Sequence, residues 1–466
     1  MTDTKNTNFS KIIKRLQLIK SLIALEEVDE LAPNIAKLQQ ENTTPAIENI
    51  ITLLQQMQYG NAVAAIDEFI YANNQIIIEP ILIPYRKKDK WGFCTPDKKI
   101  VIDCVYEDAE PFCAGLSKIK LNGRFGIIDK QGVELSKTKY DDINIFPEGL
   151  AKVRLDNKWG LVNDNGVEIT LLIYDEIYDF FEGLAKVILN KKCGFINLSG
   201  NLVIPCIYEN IYSWKEHFSE GLVRVLLNGK SGFIDKSGNE IVPFIYDDEF
   251  WGSNFNEGFA GVILNGKSGF VDRNGNQIIP CIYTQVEEFK EGIASVLMME
   301  KIGFIDKNGN QIIPYKYDYE TDGHMHQISL IFSEGLSRAR YNDKWGFIDK
   351  KDNTVIKFCF DGAGDFYEGL AIVGQNGRYG FINKFGIQIV PLKYDRVRLF
   401  SEGLAQVSLN GRYGYINKQG EEIIQLKYGF SGYTNYTDSF RDGLAKISLN
   451  GKYGYINKQG IEYWED

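Results

Sequence analysis

The sequence predicts a mainly β repeat array preceded by a small all-α segment. Three observations predict it. A glycine preceded by a large or variable residue and followed by an apolar pair recurs eleven times, from Trp91-Gly92 to Tyr453-Gly454. Between these markers, short alternating apolar and polar stretches are separated by turn dipeptides. Residues 1–75 lack that pattern and carry apolar residues at helical spacing.

The remaining markers are Phe125-Gly126, Trp159-Gly160, Cys193-Gly194, Ser231-Gly232, Ser268-Gly269, Ile302-Gly303, Trp345-Gly346, Tyr379-Gly380 and Tyr413-Gly414. Six of the ten intervals between marker glycines are 34 residues long, and the others carry insertions. Such a period also suits helix pairs, but the interior of the unit does not. Residues 115–121 alternate apolar and polar, as a half-buried strand does. Asn122-Gly123 then supplies two residues tolerant of positive φ, the chemistry of a type I′ hairpin. A second strand leads to residues 129–132, a type I turn closed by a left-handed glycine, and a third strand follows. About three short antiparallel strands per unit are expected. The periodic turn glycines account for the 45 glycines without invoking a flexible linker.

Residues 344–350 read Lys-Trp-Gly-Phe-Ile-Asp-Lys, with Ile-Pro before a Tyr-Asp/Glu pair and Glu-Gly-Leu-Ala upstream of many copies. This pattern resembles the bacterial WG-containing repeat over roughly residues 80–466. The resemblance implies a β-rich array that mediates interactions and no defined catalytic chemistry. Tryptophan stands at the marker only at Trp91, Trp159 and Trp345, so the slot is no obligatory aromatic contact throughout.

Ahead of the array, Phe9, Ile12, Ile13, Leu16, Ile19 and Ile23 recur at helical spacing, and further helices are expected over 28–40, 45–58 and 61–72. The expected division is 1–75, a helical cap or adaptor, and 76–466, an array of eleven repeats. Terminal units of a repeat array need an outer face that tolerates water, which is the case for a cap. The cationic face of the first helix is read as solvated, because Glu26, Glu27, Asp29 and Glu30 follow at once.

Composition narrows the function. The formal net charge of −10 argues against a sequence-independent grip on nucleic acid or on an anionic membrane. No run of 18 apolar residues stands in the chain, so no membrane span is expected. No secretory signal is read at the N-terminus. The seven cysteines are scattered. Cys104, Cys206 and Cys281 share one repeat slot, so each belongs to its own unit as a small buried residue, and a reducing cytoplasm is expected.

No residue set specifies a reaction. The repeated Tyr-Asp/Glu pair, as in Tyr140-Asp141 and Tyr317-Asp318, is read as a packed ring beside an acid that satisfies turn donors. Asp129, Asp235, Asp272, Asp306 and Asp349 alternate with Asn163, Asn197, Asn383, Asn417 and Asn457. Asp and Asn share turn geometry but not basicity, so turn formation is expected there. His324 and His326 lie beside Asp318, Glu320 and Asp322 in the longest insertion, without a third ligand at motif spacing; a solvated loop is expected. No phosphate loop, zinc-protease pair or nucleophile elbow appears. The expectation is therefore no catalytic residues, no cofactor and no metal.

Eleven units of three strands at about 4.7 Å would extend on the order of 150 Å as an open superhelix. The alternative is a closed, propeller-like ring. The open array is preferred at this level. The expected function is a non-catalytic scaffold that binds a protein partner. A carbohydrate- or cell-wall-binding array is the alternative, and exposure of the rings at the marker slot separates the two.

Overall fold

The structure, a computed structural model, describes residues 15–16, 19–20, 23, 28–40, 45–56, 58–74, 81–209, 217–248, 253–319, 330–429 and 439–465. The chain divides into two compact units, Met1–Ile81 and Leu82–Asp466. The division falls a few residues beyond the expected 75/76 boundary.

The first unit contains helices Val28–Gln40, Pro45–Gln55 and Tyr59–Asn74. The first two begin where the sequence leads one to expect, the third two residues earlier than the expected 61, and Pro45 opens its helix at the position where a missing N–H costs nothing. Leu16, Ile19, Leu31, Leu38, Ile47, Ile50, Leu54, Ala62 and Ile66 form a closed apolar core. Leu16 and Ile19 thus belong to the core from the first apolar stripe. Lys20 pairs with Asp67 at 2.6 Å on its surface.

In the second unit the 34-residue period becomes a series of small antiparallel sheets. Four strand positions, a to d, describe the complete repeats, and other repeats show two or three of them among the described residues. Strand a is short, strand b carries the Leu-Ala stretch, strand c the marker glycine, and strand d the Ile-Pro-to-Tyr stretch. In the ninth repeat they are Gly362–Ala363, Leu370–Gln375, Arg378–Asn383 and Gln388–Tyr394, hydrogen-bonded in that order. The sequence reading of three strands misses strand a, which at two residues in several repeats is too short to show a period.

The b–c hairpin turns through two residues with positive φ, such as Asn122 (52°) and Gly123 (75°). Asp156-Asn157, Asn190-Lys191 and Asn342-Asp343 adopt the same conformation without glycine. At the c–d turn, Asp129 accepts hydrogen bonds from the N–H groups of Gln131 and Val133 at 2.9 and 2.8 Å. Asn383 holds Phe385 and Ile387 in the same way at 3.0 Å each. Aspartate and asparagine are interchangeable there because only an acceptor oxygen is needed.

Strand d carries a bulge opposite the marker glycine. In the fourth repeat Cys193 faces Tyr208 and Phe195 faces Ile204, so two residues of strand c oppose four of strand d. The extra residues push a carbonyl onto the glycine. A Cβ at Gly194 would stand 2.5 Å from the Ile204 oxygen, and one at Gly380 would stand 2.4 Å from the Val390 oxygen. The marker glycine therefore exists for close backbone approach.

Separate clusters form the core, most of them built between two adjacent repeats. One joins Leu370, Phe381, Val390 and Tyr394 of the ninth repeat to Phe400, Ala405, Val407 and Ile416 of the tenth. No repeat buries its apolar face alone. The two ends of the array also meet. Strand Ile83–Lys87 of the first repeat pairs in parallel with Trp464–Glu465, where other repeats place strand a. Arg86 N–H and Lys88 N–H donate to the carbonyls of Tyr463 (3.2 Å) and Glu465 (2.9 Å). Trp91 meets Tyr455 edge-on at 5.8 Å, and Ile83, Tyr85 and Cys94 pack with Tyr463. The first and last repeats thus share a sheet edge and a core.

Gly380→Ala is expected to lower stability by about 1–3 kcal/mol, because the overpacked atom is backbone that cannot rotate away. Gly362→Ala, which meets open space at ordinary φ, is the matched control and is expected to stay near wild type. Denaturant unfolding of the two variants checks this.

Candidate functional site

Three recurring contacts between neighbouring repeats use the polar residues that chemistry would otherwise claim. The first is the acid of the Tyr-Asp/Glu pair. Asp247 pairs with Lys230 of its own hairpin at 2.8 Å and accepts the Gly266 N–H of the next repeat's b–c turn at 3.0 Å. Glu107 holds Gly123 and Glu209 holds Gly229 in the same way, at 3.0 and 3.1 Å. The acids are turn caps, as the sequence indicates.

The second is the tyrosine of that pair, which is buried between repeats. Tyr140, Tyr317 and Tyr428 donate to Glu168 (2.8 Å), Asp352 (2.6 Å) and Glu462 (2.7 Å) of the following repeat. The preceding lysines, Lys139, Lys316 and Lys427, pair with the same carboxylates. Burial, and then the carboxylate each one faces, pushes these phenols well above their ordinary value. They stay protonated donors at neutral pH.

The third contact carries no role in the sequence reading. The Glu-Gly before strand b is itself a two-residue hairpin turn, with Glu334 at φ 55° and Gly335 at φ 87°. The Glu334 carboxylate accepts the Gly369 N–H of the next repeat's Glu-Gly turn at 3.1 Å and pairs with Lys384 at 3.0 Å. Glu257 does the same with Gly292 and Lys307, and Glu402 with Gly443 and Lys458. Each glutamate lies in a conformation costly for a residue with a Cβ and is held there by its neighbour. The signal was available: a Glu-Gly dipeptide recurring before the apolar strand b of eight repeats.

The rings at the marker slot divide. Trp91, Trp159 and Trp345 are enclosed, at 6 %, 8 % and 6 % exposure, whereas Tyr379 and Tyr453 stand at 38 % and 43 %. Lys152 and Arg154 cover Trp159, and Arg338 covers Trp345. Phe125 and Tyr413 are half-buried. The seven cysteines are free; Cys104, Cys206 and Cys281 are half-buried and separate, and burial pushes their thiols up. His324 and His326 lie outside the described residues. Among the described residues, no group of three His, Cys, Asp or Glu is placed to hold a metal ion.

On strand d, one exposed slot is apolar in repeat after repeat. Val101, Val203, Ile278, Ile312, Val355 and Ile423 each follow the strand's first residue and stay 39–46 % exposed. Four residues further on, Val105, Ile207 and Ile282 stand at 49–50 %. Strand d closes one edge of its sheet in most repeats. Proline in Pro280, Pro314 and Pro391 withholds an N–H from it.

Two cavities depart from this regularity. One, of about 470 Å³, lies among Arg86, Trp91, Glu107, Lys120, Lys446 and Tyr453, where the first, second and last repeats meet. The other, of about 360 Å³, lies between the ninth and tenth repeats, among Ile372, Tyr379, Arg396, Arg398, Gln406 and Tyr413.

Comparison with known proteins agrees with the repeat. The WG containing repeat pattern matches ten consecutive segments from residue 91 to residue 453. The chain belongs to the WG containing repeat family. No curated protein sequence matches it. Among solved structures, a eukaryotic initiation factor is similar at 11 % identity and a TM-score of 0.41, covering 74 % of this chain and 96 % of that one. AztD from Citrobacter koseri in its apo form is similar at 12 % identity and a TM-score of 0.33, covering 66 % and 90 %. Likeness at this level carries no functional argument.

Burial on its own raises the carboxyls of Glu257, Glu334 and Glu402, but the lysine and the glycine N–H outweigh it and hold them below the ordinary value. Their contribution is therefore complete above the ordinary glutamate pKa and is lost as pH falls through the lowered one. Replacing all three with glutamine is expected to lower the melting temperature at pH 7 and flatten its fall between about pH 5 and 3. Thermal melts across that range check the slope.

Proposed function

We propose that this WG-repeat protein is a non-catalytic interaction scaffold that binds a protein partner through the exposed strand-d faces of its repeats. The observation that carries the reading is the recurrent apolar slot at Val101, Val203, Ile278, Ile312, Val355 and Ile423. Single exposed apolar residues are ordinary on protein surfaces, but one slot kept apolar through six repeats is a pattern that folding alone does not require. The ordered polar groups support it, because the acids and tyrosines are occupied in joining repeats. The enclosed tryptophans leave no continuous row of ring platforms for a polysaccharide. Seven free cysteines accord with a reducing cytoplasm.

We further infer that the array closes into a propeller-like ring of eleven repeats. Pairing of Ile83–Lys87 with Trp464–Glu465 supports it, as does the core shared by Trp91 and Tyr455. A ring removes the two terminal faces that an open array must cap. The partner then meets a circular set of equivalent faces, and the helical segment is free to act as an adaptor.

Two measurements test these readings. Full-length protein carrying Val203→Glu, Ile278→Glu, Ile312→Glu and Val355→Glu is expected to recover its partner from native lysate at least about tenfold less well, with an unchanged melt. Equal recovery would remove strand d from consideration. For closure, carbodiimide treatment of the monomer is expected to join Lys87 to Glu465, which stand 3.3 Å apart. The Lys344–Asp361 pair, at 2.6 Å within one repeat, is the internal control. A product at the control pair alone counts against the ring.

A further inference from the structure

The geometry points to a binding site for a small acidic saccharide in the cavity between the ninth and tenth repeats, with the sugar ring on Tyr379 and its carboxylate on Arg396. The inference stands independently of the scaffold reading.

The first argument is a charge inversion at one slot. In several repeats a cation on strand b pairs with an acid at the start of the next repeat. Lys118 meets Asp142 at 3.2 Å, Lys152 meets Glu176 at 3.0 Å, and Arg224 meets Asp248 at 3.3 Å. Between the ninth and tenth repeats both members change. The cation slot holds Ile372, and the acid slot, two residues after the repeat tyrosine, holds Arg396. Arg396 is exposed, lines the cavity and makes no ion pair among the described residues. Arg398 adds a second guanidinium to the same wall. The one acid on the lining, Asp395, is already joined to Arg378 and to the Asn410 N–H. In a chain of net charge −10, Arg396 gives this recess a local positive charge in a slot that holds an acid in several other repeats. A guanidinium matches a carboxylate with two parallel donors.

The second argument is the room made for a ring. Gly374 pairs with Tyr379 across the b–c hairpin. The same slot holds Lys120, Arg154, Ile188 and Leu226 in other repeats. A Cβ at Gly374 would stand 2.7 Å from the Tyr379 ring, so glycine lets that ring lie against the strand and keep one face open. Tyr413 of the next repeat lines the same space. Aromatic faces with nearby amide and hydroxyl groups, here Gln406 and Ser408, suit a ring that carries hydroxyls. The volume of about 360 Å³ lies at the small end of the ligand-pocket range and admits one or two sugar rings.

Calorimetric titration of the full-length protein with digalacturonate, the matching neutral digalactoside and inorganic phosphate tests the assignment. The acidic disaccharide is expected to bind, with the neutral one at least about tenfold weaker and phosphate weaker still. Arg396→Gln and Tyr379→Ala, both at exposed positions, are each expected to weaken acidic-sugar binding about tenfold or more without changing the melt. Gly374→Leu, which returns an aliphatic side chain to the slot, is expected to abolish it. No heat with the acidic disaccharide, equal binding of the neutral one, or unchanged binding by Arg396→Gln would each overturn the proposal.

Discussion

The array depends on one contact: a strand-d carbonyl lying against the Cα of the marker glycine. With a side chain there, the carbonyl of Ile204 or Val390 would have to move, and the bulge that sends strand d across strand c would be lost. The bulge turns the strand-d tyrosine into the cleft toward the next repeat, where Tyr140, Tyr317 and Tyr428 find their acids. This accounts for glycine at most markers while its partner varies from Trp to Ser; at Gly454 the Trp464 ring takes the carbonyl's place. The glycine sets the path of the backbone. The residue before it only fills the space between repeats, and Ser231, Cys193 and Trp345 all do so while buried.

Neighbouring repeats are then joined by polar contacts that are individually modest. Ion pairs such as Lys384–Glu334 and Lys230–Asp247 are partly open to solvent, and each is worth little alone. Their effect comes from placement. Each carboxylate also satisfies a backbone N–H in a tight turn of the adjacent repeat, so breaking one contact leaves a buried or strained turn group without its acceptor. In a linear array stability is close to a sum of such nearest-neighbour terms. The hydrogen bonds between Arg86 and Tyr463 and between Lys88 and Glu465 add a term that no strictly sequential array contains.

Where the repeat is regular, its polar residues are consumed in holding it together, and both proposed recognition surfaces use what regularity leaves over. The apolar strand-d slot is one remainder, shared by many repeats. The recess around Arg396 is the other, and it arises where Gly374 replaces a side chain such as Lys120 or Leu226, and Ile372 and Arg396 stand in slots that hold a cation and an acid in several other repeats. A repeat protein can acquire a site in this way without disturbing its scaffold.

The period, the hairpin turns, the Asx turns and the helices of the first segment were legible in the sequence, because each rests on local chemistry. Asn122-Gly123 turns in any context, and Asp129 and Asn383 reveal a shared turn through the oxygen they have in common. The Glu-Gly turn was visible as a pattern but not as a contact, since its partner is a glycine N–H and a lysine one repeat away. The pairing of the chain's last strand with residues 83–87 lay wholly beyond the sequence. It joins residues from the two ends of the array, and no local pattern encodes a contact between positions that far apart in the chain. The recess between the ninth and tenth repeats was hidden for the same reason: its walls come from two repeats, and only their packing brings Tyr379 and Arg396 together.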